Sequence, residues 1–581
     1  MVKKIKLSGE KAIARALKEC GIEYFFYVTG GMGTLFPVIE NEKINMILCR
    51  NEKAACNMAD GYSRVTNKPS VCYGQHGAGA AIIASMLYES MFAHSPVVAL
   101  TGSTPTSDKH QWRYQEVYEM KYFEETCKFN VDVTDVSRLA EYIRTAIQIS
   151  VSGCPGPTHV NVHLDMRRKT SEMPEIYGDS TFFKVPPFRP RAEPERVAEA
   201  VNLLLSAERP VMVCGAGVHI SGAYDEIREI SELLTIPVAT NYKGFGCYPE
   251  GHPLNLGVMG NYGRTMVNDY IRKADLVFFV STRAGSHMTA EFTAPEPGSS
   301  KIIHLDIDPL VIGRNYKADV ALVGDAQVIL REMLRILKNK LIKNNFKEQR
   351  LKEISKALTE YQSIVNPLMN SDATPIKPQR IMKELAKFLG TRDIVVSDTG
   401  QMICWTTRLL KLKGVGLTYI PVGGTLGSSF AIAIGASFGA EEGQRVLNLI
   451  GDGGITYNIA ELETAKRYND LHEPFVALVN NNSSLGQTRS RVEDWSREEA
   501  PWISCSDFTE LDYAKIARAF GCYGVRVERP SEIVEALEEA YNSGKPAIVD
   551  IVTDKREYAP LGLIRTNKIE YEKRFSKTPI Y

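Results

Sequence analysis

Short, continuous apolar runs recur along the whole chain, each set between stretches of helical periodicity. They include Pro96-Val97-Val98-Ala99-Leu100, Val211-Met212-Val213-Cys214, Leu276-Val277-Phe278-Phe279-Val280 and Ile302-Ile303-His304-Leu305, and further on Ile394-Val395-Val396, Val446-Leu447-Asn448-Leu449-Ile450 and Phe475-Val476-Ala477-Leu478-Val479. A strand that is apolar on both faces must be covered on both faces, and helices packed on each side of a parallel sheet provide that cover. The pattern therefore predicts an α/β chain of doubly wound parallel sheets.

Two breaks divide the pattern. Residues 185–194 and 366–375 are rich in proline and polar groups and read as extended, exposed linkers. A Lys-rich helical stretch over 330–364 leads into the second. The expected division is a first domain over 1–185, a central domain over 192–345, a third over 373–560 and a C-terminal tail over 561–581. That suits 581 residues at roughly 100–200 per domain. With 69 basic and 69 acidic side chains the formal net charge is zero, so nothing points to nucleic acid or to an acidic membrane surface. The N-terminus turns polar at Ser8-Gly9-Glu10 before any long apolar stretch develops, and later apolar stretches are too short or too broken to span a bilayer. The 11 cysteines include no CxxC pair and read as reduced core residues. The expectation is a cytoplasmic protein without membrane partners.

The chemistry concentrates in Gly451-Asp452-Gly453-Gly454, followed after a helix by Asn480-Asn481-Asn482-Ser483-Ser484. Both groups follow apolar strands, where ligands of open α/β sheets bind. Gly451 and Gly453 let the backbone approach a diphosphate. Asp452 and Asn482 offer hard side-chain oxygens, and Mg²⁺ takes few protein oxygens together with phosphate and water. The stretch resembles the thiamine-diphosphate (ThDP) motif, a GDG followed by an Asn-Asn pair. The resemblance implies Mg²⁺ held by Asp452, Asn482 and the main-chain oxygen of Ser484, with Gly454, Leu485 and Gly486 in the cofactor-binding set.

Over nearly the whole chain the sequence resembles acetolactate synthase and its relatives. Cys49-Arg50-Asn51-Glu52-Lys53-Ala54-Ala55, continuing to Ala59-Asp60-Gly61-Tyr62-Ser63-Arg64, is similar to the family's R-H-E-x-x-A-A…A-D-G-Y-A-R. Glu52 then matches the glutamate that activates the cofactor through its aminopyrimidine ring; the plain alternative is that Asn51 caps a helix and Glu52 suits its first turn. In Ser397-Asp398-Thr399-Gly400-Gln401-Met402, Gly400 and Gln401 match positions at the diphosphate, with Met402 where a histidine is usual. In Gly423-Gly424-Thr425-Leu426-Gly427, Leu426 takes the place of the apolar residue that bends ThDP, and Gly424 that of a carbonyl to its amino group. The central segment is similar in outline at Gly217, Arg283 and Asp306, which implies FAD, ADP or an empty remnant there. The resemblance further implies a homodimer or homotetramer with active sites between subunits.

The substrate-facing positions depart from the family. His287 replaces the arginine that meets the second substrate, and Arg491 replaces the tryptophan that recognises the acceptor. The loop Gly74-Gln75-His76-Gly77 stands where the family has S-G-P-G, which places His76 near the reactive carbon as an acid/base candidate. Gln115 matches a glutamine beside the active site. The leading expectation is a ThDP- and Mg²⁺-dependent lyase or carboligase acting on a 2-oxo acid or 1,2-dicarbonyl compound. Two alternatives stay open: a ThDP-dependent hydrolase of a cyclic 1,2-dione, marked by His76, and a non-catalytic nucleotide-binding homologue, which binding of ThDP and Mg²⁺ would rule out.

Overall fold

The apolar runs form strands, and in the computed structural model they assemble into three sheets, each of six strands, all parallel. The structure describes residues 4–31, 33–340, 346–496 and 502–559; the expected tail at 561–581 lies outside the described residues. The first sheet holds β1 (Tyr24–Tyr27), β2 (Asn45–Leu48), β3 (Ser70–Gly74), β4 (Val97–Ser103), β5 (Phe129–Val133) and β6 (Thr158–His163), in the order β2-β1-β3-β4-β6-β5. The central sheet holds β7 (Pro210–Cys214), β8 (Val238–Thr240), β9 (Asn255–Val258), β10 (Leu276–Val280), β11 (Lys301–Asp306) and β12 (Val320–Val323), in the order β9-β8-β7-β10-β11-β12. The third holds β13 (Ile394–Ser397), β14 (Tyr419–Pro421), β15 (Val446–Gly451), β16 (Phe475–Asn481), β17 (Tyr523–Val527) and β18 (Ala547–Val552), in the order β14-β13-β15-β16-β18-β17. Every residue of β3, β4, β6, β7, β10 and β16 is buried, as strands covered on both faces must be. Lys4–Ser8 and Thr170–Pro174 add a small antiparallel pair that the apolar pattern did not announce.

The first and third sheets share one strand order, so the two units are copies of one topology although the sequence carries no short repeat. They pack through α1 (Glu52–Thr66) and α2 (Ser428–Gly439). These helices meet backbone to backbone. A side chain at Gly61 would stand 1.9 Å from the Ile432 carbonyl oxygen, and one at Gly435 2.0 Å from that of Met58. Only glycine at both positions permits the contact, and it fixes the N-terminus of α1, with Glu52 on it, against the third unit.

The second expected linker is corrected. A helix runs over Lys347–Met369 and includes Pro367, so only residues beyond it connect the units. The proline falls in the last turn, where it removes a single backbone bond. Tyr361 and Val365, buried against the third unit's core, hold the helix in spite of it. Of the Lys-rich helical stretch expected over 330–364, a first helix spans Ala326–Lys338 with Asn339 as its C-cap, and the second is the helix from Lys347.

Candidate active site

Strand order places the sites. In each sheet the direction of winding reverses between two neighbouring strands, and a crevice opens beyond their carboxyl ends. These pairs are β1/β3, β7/β10 and β13/β15. All three crevices hold residues expected from the sequence.

At the third unit's crevice, Asp452 and Asn482 leave adjacent strands, β15 and β16, which are in register at Gly451 and Asn480. The Ser484 amide donates to Asp452 Oδ2 at 3.1 Å and to Asn482 Oδ1 at 3.1 Å, so both oxygens converge on one point. Between them Ser483 holds a left-handed φ of 53°, at a cost of about 1–3 kcal/mol, which marks a turn maintained by its surroundings. Asp452 is 3% exposed, and burial pushes its carboxyl up to about 7. No basic side chain among the described residues pairs with it. A buried carboxylate without a counter-ion is stabilised by a cation, and a carboxylate oxygen beside an amide oxygen is a hard donor set of the kind Mg²⁺ takes.

A cleft of about 330 Å³ opens in front of these oxygens. It is lined by Gly400, Gln401, Leu426, Gly451, Asp452, Gly453, Gly454, Asn482, Ser484, Leu485 and Gly486. Gly424 lies apart, its amide donating to Glu89 Oε2 at 3.0 Å. Gln401 is 7% exposed, yet neither its Oε1 nor its Nε2 has a hydrogen-bond partner. A buried amide left bare is costly, and a diphosphate in the cleft would satisfy it. Nothing lies within 4 Å of where a Gly451 side chain would be, so a ligand can approach that backbone. At Gly453 the corresponding space is filled by Leu485 and Phe508. The cleft thus fits a Mg²⁺-diphosphate.

At the first unit's crevice, Asn51 caps α1 by accepting from the Ala54 amide at 2.8 Å, as the plain alternative anticipated. The cap leaves Glu52 in the first turn, half-buried and close to Gly79, where a side chain would come within 2.9 Å of Glu52 Oε1. His76 Nε2 lies 3.2 Å from the Tyr114 carbonyl oxygen and donates to it, while the buried Nδ1 has no partner. Burial holds this imidazole below its usual pKa, hence neutral, with Nδ1 able to accept a proton. Gln115 Oε1 accepts from Gln75 Nε2 at 2.7 Å. Gln115, His110 and Trp112 all take left-handed φ values, so this loop too is held in strained form.

Among the described residues, none of the first unit lines the cleft around Asp452, and Glu52, His76 and Gln115 are not among its lining residues. The supporting roles of two residues escaped the sequence reading. Glu461 accepts from the Arg50 amide at 3.1 Å and from Asn51 Nδ2 at 3.1 Å, fixing the Glu52 segment. Asp398 accepts from the Gly427 amide at 3.0 Å and so sets the Leu426 loop. Asp398 stood in a quoted motif; Glu461 gave no signal.

The central crevice is a cavity of about 240 Å³ lined by Gly217, Arg283, His287 and Asp306 among others. Burial raises the Asp306 carboxyl to about 6, and its Oδ1 accepts from the Asp308 amide at 3.0 Å. His287 packs edge-on to Tyr262, with ring centroids 4.4 Å apart, and its Nδ1 lies 3.0 Å from Asn261 Nδ2. Burial first, and then the positive charge of Arg491, keep His287 below its usual pKa. Arg491 lines the Asp452 cleft.

Three parallel sheets with a carboxylate-and-amide crevice of this kind define a thiamine pyrophosphate (ThDP) enzyme. The sequence matches the N-terminal TPP binding domain of such enzymes over residues 7–124, their central domain over 197–333 and their C-terminal TPP binding domain over 398–551. It is 33% identical over 568 residues to a probable acetolactate synthase large subunit of Methanocaldococcus jannaschii, covering 96% of this chain and 93% of the relative. It is 32% identical over 583 residues to a protein described in the same way from Methanococcus aeolicus, covering 97% and 95%. Against the acetolactate synthase large subunit of Buchnera aphidicola subsp. Acyrthosiphon pisum the identity is 27% over 571 residues, covering 95% and 96%. The chain belongs to the acetolactate synthase-like family of thiamine pyrophosphate enzymes.

Proposed function

We propose that the protein is a ThDP- and Mg²⁺-dependent lyase or carboligase of 2-oxo acids or 1,2-dicarbonyl compounds. The observation that carries this is the convergence of Asp452, Asn482 and Ser484 beside the bare amide of Gln401. When bound, ThDP supplies a carbon nucleophile and an electron sink for the bond next to a carbonyl. Asp452, Asn482 and the Ser484 main-chain oxygen would hold the metal. Gln401 and the open backbone at Gly451 would meet the diphosphate, and Leu426 would support the ring system. Glu52 of a second copy would exchange a proton with the aminopyrimidine, which makes the working unit at least a homodimer. Exposed aromatic side chains on the Gln115 loop, Trp112 at 98% and Tyr114 at 77%, support a partner that covers this face.

Relatives named acetolactate synthase do not make this chain efficient at that reaction. A histidine cannot reproduce the two-pronged grip of an arginine on a carboxylate, and Arg491 puts a charge where an apolar wall is expected. The free Nδ1 of His76 favours a second reading, hydrolysis of a 1,2-dione, in which this imidazole activates water. A silent homologue would not need Glu52, Asp452 and Asn482 in place. The central cavity, at the reversal point of a sheet ordered like dinucleotide-binding folds, is proposed to hold an adenine nucleotide, FAD or ADP, beside Arg283 and Asp306.

The test is product mass spectrometry with ThDP, Mg²⁺ and pyruvate, butane-2,3-dione or cyclohexane-1,2-dione. ThDP-dependent consumption of a dicarbonyl with little acetolactate is expected. Acetolactate turnover near the roughly 10 s⁻¹ typical of enzymes on their own substrates would overturn the account of the acceptor positions. Consumption of none of the three would overturn the reaction class.

A further inference from the structure

The central cavity contains a lysine that the ThDP chemistry does not use. Lys243 follows β8 and lines the cavity together with Arg283 and Asp306. Its Nζ donates to the Phe92 carbonyl oxygen and stands 4.5 Å from the centre of the Phe92 ring. The acids nearest to it are already engaged. Asp60 and Glu89 both pair with Arg64, at 2.5 Å and 3.2 Å. Protein surrounds the side chain, and the partial exposure it keeps is accounted for by the cavity it lines.

We infer that Lys243 is the anion anchor of the central cavity. The inference rests on the nucleotide reading of that cavity given above. The groups facing Lys243 are Glu89 from the helix over Ala78–Ala93, His94 at that helix's C-cap, Asp60 and Arg64 from α1, and Arg283 from the loop after β10. Burial, reinforced by the charges of Arg64 and Arg283, pushes the ammonium down to about 7, against the pull of Glu89 and Asp60. A polyanion entering the cavity reverses the balance, because the charged form then has a partner. The pKa is thus higher in the complex than in the free protein, and binding takes up a proton wherever free Lys243 is neutral. The affinity gained is fully present below the free pKa and is lost as pH rises toward the bound one, by up to about tenfold per pH unit.

The test is calorimetric titration of the full chain, loaded with ThDP and Mg²⁺, with ADP in buffers of different ionisation enthalpy at about pH 6.5 and 8.5. Wild type should bind ADP more tightly at the lower pH and take up a proton at the higher. Lys243→Met should weaken ADP at least about tenfold, lose the proton uptake and keep its affinity for uncharged adenosine. Lys243→Arg, permanently charged, should keep ADP binding and lose the uptake, and it serves if the methionine variant fails to fold. Wild type that binds no ADP overturns the nucleotide reading and this inference with it. ADP binding and proton uptake that are unchanged in both variants overturn the inference alone.

Discussion

Glu52 shows how a catalytic candidate is built from its neighbours. Asn51 takes the capping duty and Glu461 holds the backbone before it, so the Glu52 carboxylate is left with no hydrogen bond among the described residues. Glu52→Gln is expected to keep the fold and ThDP binding and to slow proton exchange at the cofactor's reactive carbon by about 10²–10⁴-fold or more, read by NMR on the bound cofactor. Unchanged exchange would assign the proton transfer to another group. Glu52, Asp452 and Asn482 were legible because their motifs are local in sequence. Glu461 was not, since a carboxylate 411 positions from the amide it accepts from leaves no local pattern. Glu89 escaped for the same reason: it accepts from the Gly424 amide 335 positions away.

Among the elements, the central strands were legible because burial on both faces leaves a continuous apolar run. The helix through Pro367 was not, because tertiary burial of Tyr361 and Val365 outweighs one local breaker. The contact between α1 and α2 was equally hidden. Gly61 stands in a family-like motif, yet the purpose of the two glycines emerges only where the two backbones touch. Gly435→Ala places a methyl against the Met58 carbonyl, a backbone atom that cannot swing aside. Overpacking of this kind costs about 1–3 kcal/mol, and the displaced α1 carries Glu52 with it. A lower melting temperature by calorimetry, together with weaker ThDP binding, is expected; unchanged values of both would show that the helices separate without strain.

At the scale of the whole molecule, the first and third units repeat one strand order, and each matches a TPP binding domain. Within one chain the described residues of the first unit do not line the cleft around Asp452. The central claim is that two copies complete each other, with Glu52 from one facing Asp452 from the other. Glu52→Gln alone should bind ThDP but exchange slowly, and Asp452→Ala alone should lose Mg²⁺-dependent binding because its only charged metal ligand is gone. The decisive measurement mixes the two variants by reversible dissociation, checks mixed dimers by native mass spectrometry, and follows proton exchange on bound ThDP. One site of each mixed dimer then carries both native residues, so fast exchange should return in about a quarter of all sites of a statistical mixture. Verified mixed dimers with no fast-exchanging ThDP would contradict the account.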